Sequence, residues 1–94
     1  MKQLHLVLTA KWYSMIESGV KLEEYREIKP YWDIRLIDEK GNLKLFDEVV
    51  FSFGYTKKRM AFRCAGIRIG RGRIEWGAPR NENVFIISLG ERIY

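Results

Sequence analysis

The sequence predicts an α+β domain in which a curved, mostly antiparallel sheet closes, or nearly closes, into a small barrel with two short helices packed against it. Three observations carry that expectation. Helical spacings of apolar residues lie early in the chain, period-two alternation lies late, and a change of strand parity beside Gly66 reads as a bulge that would let the sheet bend. At 94 residues the chain is long enough for one core and too short for two, so residues 1–94 are read as a single domain.

The elements follow in order. Leu4, Leu6 and Leu8 alternate with His5, Val7 and Thr9, the period of a first strand. Ala10, Trp12, Tyr13 and Ile16 then fall at helical spacings, which predicts a helix from about Ala10 to Ser18, with Thr9 placed to cap its first turn and Gly19 where a helix commonly stops. Lys21 to Glu27 carries only Leu22 and Tyr25 among charged residues and fits either an exposed strand or a loop. Pro30 suits the first position of a second helix, whose apolar surface comes from Tyr31, Trp32, Ile34, Leu36 and Ile37 before a turn at Glu39–Asn42.

In the second half, Val49, Phe51, Phe53 and Tyr55 form one face of a strand that ends in a Thr56-Lys57-Lys58 turn. Met60, Phe62 and Cys64 share one parity, while Ala65, Ile67 and Ile69 share the other, so a bulge is expected at Ala65 and Gly66. Gly70-Arg71-Gly72 reads as a hairpin tip into a strand at Arg73–Trp76, broken by Gly77 and Pro79. Val84 to Leu89 is apolar on both parities, as a buried strand would be.

Composition narrows the classes of function. The net charge is +5, and no acid occurs between Glu48 and Glu75, an interval that holds Lys57, Lys58, Arg59, Arg63, Arg68, Arg71 and Arg73. Such a field attracts phosphates, although a solvated strand face that keeps a small domain soluble has the same composition. A single cysteine, Cys64, forbids an intrachain disulfide and suits a small buried apolar role. With His5 the only histidine, a Cys/His zinc set cannot be assembled, and neither metal nor cofactor is expected. The apolar runs are far shorter than the roughly 18 to 20 residues that cross a bilayer, and the first residues do not read as a secretory leader, so a cytoplasmic protein is expected; the oligomeric state stays open, with a monomer favoured.

One octet has a recognisable pattern. Gly19-Val20-Lys21-Leu22-Glu23-Glu24-Tyr25-Arg26 fits G-x-K-x-x-E-x-R and follows a strand and a helix. In pattern and placement it resembles the signature of the ASCH domain family. That resemblance implies a PUA-like fold, a pseudo-barrel sheet with helices against it, and a cleft that handles RNA or modified nucleotides. The rest of the chain resembles the family only in the order and character of its strands.

Chemistry assigns roles to Lys21 and Arg26, and the resemblance adds a comparison at Glu24. Lys21 brings three donors and one positive charge, suited to a phosphate or a developing oxyanion, and partial burial would let it act as a base; a solvent-exposed lysine is the plain alternative. Arg26 presents a planar fork to a phosphate or to Glu24, the second option being an internal ion pair that orients the site. In an extended chain Lys21 and Glu24 point to opposite sides, so a bend is needed for them to meet. Glu24 departs from the amidohydrolases that the family includes, where a threonine nucleophile occupies this motif position; a carboxylate activates water but does not make that attack.

The expectation is therefore an RNA- or nucleotide-binding domain in which Lys21, Glu24 and Arg26 line a cleft, Arg63 and Arg68 contribute basic contacts, and Tyr55 and Trp76 are the preferred base-stacking rings. Tyr13, Tyr25, Tyr31 and Trp32 are the other candidate rings, with a core role as the plain alternative for each, and Thr9 and Lys11 are further candidates for the cleft wall. The alternative is a hydrolase acting on a modified nucleoside or on RNA, with Lys21 and Glu24 catalytic. A third possibility is a protein-interaction domain that uses the same basic face on an acidic partner.

Overall fold

The leucine alternation at the start of the chain becomes β1 (Gln3–Leu8), with Leu4, Leu6 and Leu8 buried and the residues between them exposed. The computed structural model describes residues 1–94. Helix α1 (Ala10–Glu17) follows and buries Tyr13 and Ile16. Thr9 occupies the N-cap position, but its hydroxyl makes no capping bond; only its carbonyl engages the helix, accepting from the Tyr13 N–H at 3.0 Å. Burial of one face, more than a side-chain cap, therefore holds this short helix.

The polar octet ends as a strand, β2 (Glu23–Glu27). Pro30 takes the first turn of α2 (Pro30–Leu36), which buries Leu36 completely, while Ile37 leaves the helix and bridges to Leu43. Next come β3 (Glu48–Phe53), β4 (Arg59–Gly70) and β5 (Val84–Arg92). The five strands form one sheet in the order β1-β3-β4-β5-β2. Strands β1 and β3 run parallel, which the intervening helices permit, and the other neighbours are antiparallel. The sheet curls far enough that a β2 side chain, Arg26, reaches the β1 backbone and donates to the Val7 carbonyl at 3.1 Å.

The expected bulge is present. Pairing of β4 with β5 shifts register between Phe62 and Cys64 and again between Cys64 and Gly66. Across the concave face Leu6, Leu8, Phe51, Met60, Phe85 and Ile87 pack with Tyr13, Ile16 and Leu36 into the main core. Cys64 borders this core, half-buried, and burial raises its thiol pKa above the ordinary value. No helix is long and apolar enough to cross a membrane.

Besides the missing Thr9 side-chain cap, two expectations fail here. Strand β3 stops at Phe53, so Tyr55 is not part of its face and stands 98% exposed in the following turn. The segment Arg73–Trp76 is not the return strand of a hairpin: Ile74–Trp76 forms a single 3₁₀ turn, and the strand beside β4 is β5. The loop instead folds back over the convex face of β2 and β5. There Trp76 packs on a second, smaller core of Tyr25, Ala78, Val84 and Ile86, and the Arg73 N–H donates to the Tyr25 hydroxyl at 2.9 Å. Gly72 permits this approach, because a Cβ at that position would lie 2.4 Å from the Tyr25 ring.

Candidate functional site

The site begins where α1 stops. Gly19 adopts a left-handed φ of 84°, its N–H donates to the Ile16 carbonyl at 3.1 Å, and the Val20 and Lys21 N–H groups both donate to the Met15 carbonyl at 3.0 Å. This Schellman-type ending reverses the chain sharply. Val20 and Leu22 are left at the surface, while Lys21 between them turns inward and is only 2% exposed.

Strand β2 then pairs with β5 so that Glu24 lies opposite Ile87 and Arg26 opposite Phe85. Directly paired residues share a face, so these two charged side chains enter the concave side with the core, and Glu23 and Tyr25 take the convex side. The turn ahead of β2 supplies the bend that brings Lys21 and Glu24 together.

Glu24 joins the cluster. One carboxylate oxygen, Oε1, lies 2.8 Å from the Lys21 ammonium, and the other, Oε2, lies 3.0 Å from Arg26 Nη2. Lys21 also donates to the Trp76 carbonyl. Its Nζ sits 4.3 Å from the centre of the Trp12 ring and 5.3 Å from that of Tyr25, so aromatic faces complete its surroundings. Burial pulls the Lys21 pKa below the usual lysine value, and Glu24 opposes that shift by charge and hydrogen bond. Arg26 Nη2 reaches Val7 as well as Glu24, the guanidinium lies 5.0 Å from the Trp32 ring centre, and Nε is buried without a hydrogen-bond partner.

Two clefts open beside this network. The first, about 540 Å³, lies between the end of β2, α2 and the loop after the 3₁₀ turn; Glu27, Lys29, Pro79 and Glu82 are among its walls. The second, about 450 Å³, lies between the end of β1, α2 and the β3–β4 turn, with Thr9, Tyr31 and Tyr55 at its walls. Arg26 and Trp32 line both and form the partition between them.

No family model, curated protein or solved structure matches the chain.

The structure sorts the candidate residues. Lys21, Glu24 and Arg26 converge, but on one another: Arg26 alone of the three lines the two clefts, and Lys21 and Glu24 support it from the interior. Tyr55 stands at the rim of the second cleft. Trp76 is half-buried in the convex-face cluster, and its carbonyl rather than its ring engages the network. Arg63 and Arg68 lie on the convex face, opposite Glu48 and Ile86 in the register. Arg63 approaches Glu91 at 3.5 Å, and Arg68 reaches Ser88 Oγ at 2.8 Å and Glu23 at 3.3 Å. Neither arginine lines either cleft.

Sequence reasoning placed Trp12 among helical apolar residues and Trp32 both there and among the candidate stacking rings, and missed the cations they cover. Trp12 covers the Lys21 ammonium, and Trp32 backs Arg26. The available signal was their position: each falls early in a short helix adjoining the octet, where a ring reaches across to a neighbouring cation.

Proposed function

We propose that this chain is an RNA- or nucleotide-binding domain of ASCH type, with a PUA-like pseudo-barrel, whose ligand is held at Arg26. The octet signature, the curled sheet with its helices and the network around Glu24 all support this reading. One observation carries it: a buried carboxylate, tied on its other side to Lys21, fixes the Arg26 guanidinium at the partition between two clefts. Lys21 and Glu24 act here as positioning residues. Arg26 meets the ligand's phosphate or base edge, and the ring of Trp32 stiffens it.

The experiment is fluorescence anisotropy with a labelled single-stranded RNA, titrated at several salt concentrations. Affinity is expected to fall steeply with salt, because neutralised phosphates release counterions. Arg26→Ala should weaken binding about 10- to 100-fold, the scale of one or two charge-assisted hydrogen bonds. Arg63→Ala, on the convex face, should change it little. An RNA that does not bind even at low salt, or binding untouched by Arg26→Ala in a folded variant, defeats the reading.

The hydrolase alternative has one observation in its favour, the lowered pKa of the Lys21 ammonium next to a carboxylate. It requires a scissile bond and a water to reach Glu24, which is 4% exposed and engaged at both oxygens. Product analysis on acylated cytidines and on RNA tests it: turnover that disappears in Lys21→Met and Glu24→Gln, with both variants folded, would establish it.

A further inference from the structure

The second cleft differs in character from the first. Two carboxylates, Glu27 and Glu82, stand among the walls of the first, whereas the second has none. At its rim Tyr31 is 53% exposed and Tyr55 98% exposed. Tyr31 is held in place: the Arg35 guanidinium lies 3.5 Å from its ring centre, and Trp32 meets it edge-on at 4.9 Å. Lys57 follows Tyr55 by two positions, is exposed and belongs to no ion pair. Each cleft has a volume suited to one nucleotide-sized group, and the partition between them is a cation backed by an aromatic ring.

We propose that the second cleft is a base-stacking subsite, so that the protein takes a single strand of at least two nucleotides lying across Arg26. One base sits in each cleft, and the phosphate between them faces the guanidinium. Tyr55 and Tyr31 offer π-faces to the base in the second cleft, and Lys57 attracts the next phosphate along the strand. A cleft lined by Tyr31, Trp32, Tyr55 and the single cation Arg26, without a carboxylate, is complementary to a strand that alternates rings with negative charges. This inference rests on the reading of Arg26 as the ligand-binding residue, and it adds a length requirement to that reading.

The test compares uridine monophosphate with a fluorescein-labelled uridine hexanucleotide, using quenching of the intrinsic tryptophan fluorescence for the first and anisotropy for the second. Tyr55→Ala and Tyr31→Ala are surface changes, and thermal melts check that both variants fold. The hexanucleotide should bind at least tenfold tighter than the mononucleotide. Each tyrosine substitution should weaken the hexanucleotide by about 5- to 150-fold, equivalent to roughly 1 to 3 kcal/mol per stacked base, and weaken the mononucleotide by a smaller factor. Equal affinity for the two ligands, or a hexanucleotide indifferent to both substitutions, overturns the subsite and leaves nucleotide binding at Arg26 standing. Loss of all binding by the wild type overturns both. A polyglutamate peptide that binds in a Tyr55-dependent way and excludes the hexanucleotide would assign the cleft to an acidic protein partner and overturn it too.

Discussion

The Arg26 guanidinium donates to the Val7 carbonyl at 3.1 Å, and this bond joins the two edge strands of a sheet whose backbone order is open. The same Nη2 nitrogen is 3.0 Å from Glu24, so closure of the seam and orientation of the site depend on one group. Arg26→Lys keeps the charge but lacks the planar fork needed to meet Glu24, Val7 and the Trp32 face together. We expect it to lower unfolding stability by about 1 to 3 kcal/mol, read as a lower urea midpoint at unchanged slope.

Glu24→Gln should be worse than Lys21→Met. The first leaves two cations close together with no counter-charge, a loss of about 3 to 5 kcal/mol. The second leaves Glu24 paired with Arg26 and fills the hole with an apolar chain of similar length. Denaturation of the single and double variants checks the order, and the double variant should lose less than the sum, because the two changes remove the same contact.

Alkaline pH should destabilise the fold through Tyr25. Its phenol, pushed up to about 12 chiefly by burial, stays protonated in the folded state when the unfolded chain ionises near 10. Its contribution is thus fully present below about pH 10 and is lost as pH rises toward 12, on the order of 2 to 3 kcal/mol in total. Lys21 works in the opposite sense. Its pKa is lower in the folded state, so stability rises with pH between that value and the usual 10.5. Urea midpoints measured from pH 8 to 12 should fall in the upper part of the range for the wild type, and Tyr25→Phe should flatten that fall.

Gly72→Ala should dislodge the loop from the convex face. A Cβ there would lie 2.4 Å from the Tyr25 ring and 2.8 Å from the Ala78 Cβ, so the backbone must move. The expected penalty is about 1 to 3 kcal/mol, as in other overpacked sites. Hydrogen exchange at the Arg73 amide, whose partner is the Tyr25 hydroxyl, should quicken before the rest of the sheet is affected.

What could be read from the chain followed local periodicity. Leu4, Leu6 and Leu8 announce β1, the change of parity past Cys64 announces the bulge, and Gly19 announces the end of α1. These features are set within a few residues. The return at Arg73–Trp76 was misread because four residues do not carry a reliable period, and what decides them is contact with Tyr25, far away in sequence. Arg63 and Arg68 read as ligand contacts on a basic strand-hairpin face, and their place away from the two clefts was hidden for a similar reason: charge density along a chain says nothing about which face of a sheet a residue takes. The octet was legible as a unit, but the division of labour inside it was not. It depends on the pairing of Glu24 with Ile87 and on the tryptophan over Lys21.

The covering of Lys21 by Trp12 and the Trp76 carbonyl has a consequence for reactivity. Surface lysines meet an amine-directed reagent at once, whereas this nitrogen meets it only in the moments when the overlying segment lifts. Its acylation rate, followed peptide by peptide in a mass spectrometer, therefore serves as a clock for that opening, and a ligand that clamps the segment shut would slow the clock without touching the amine.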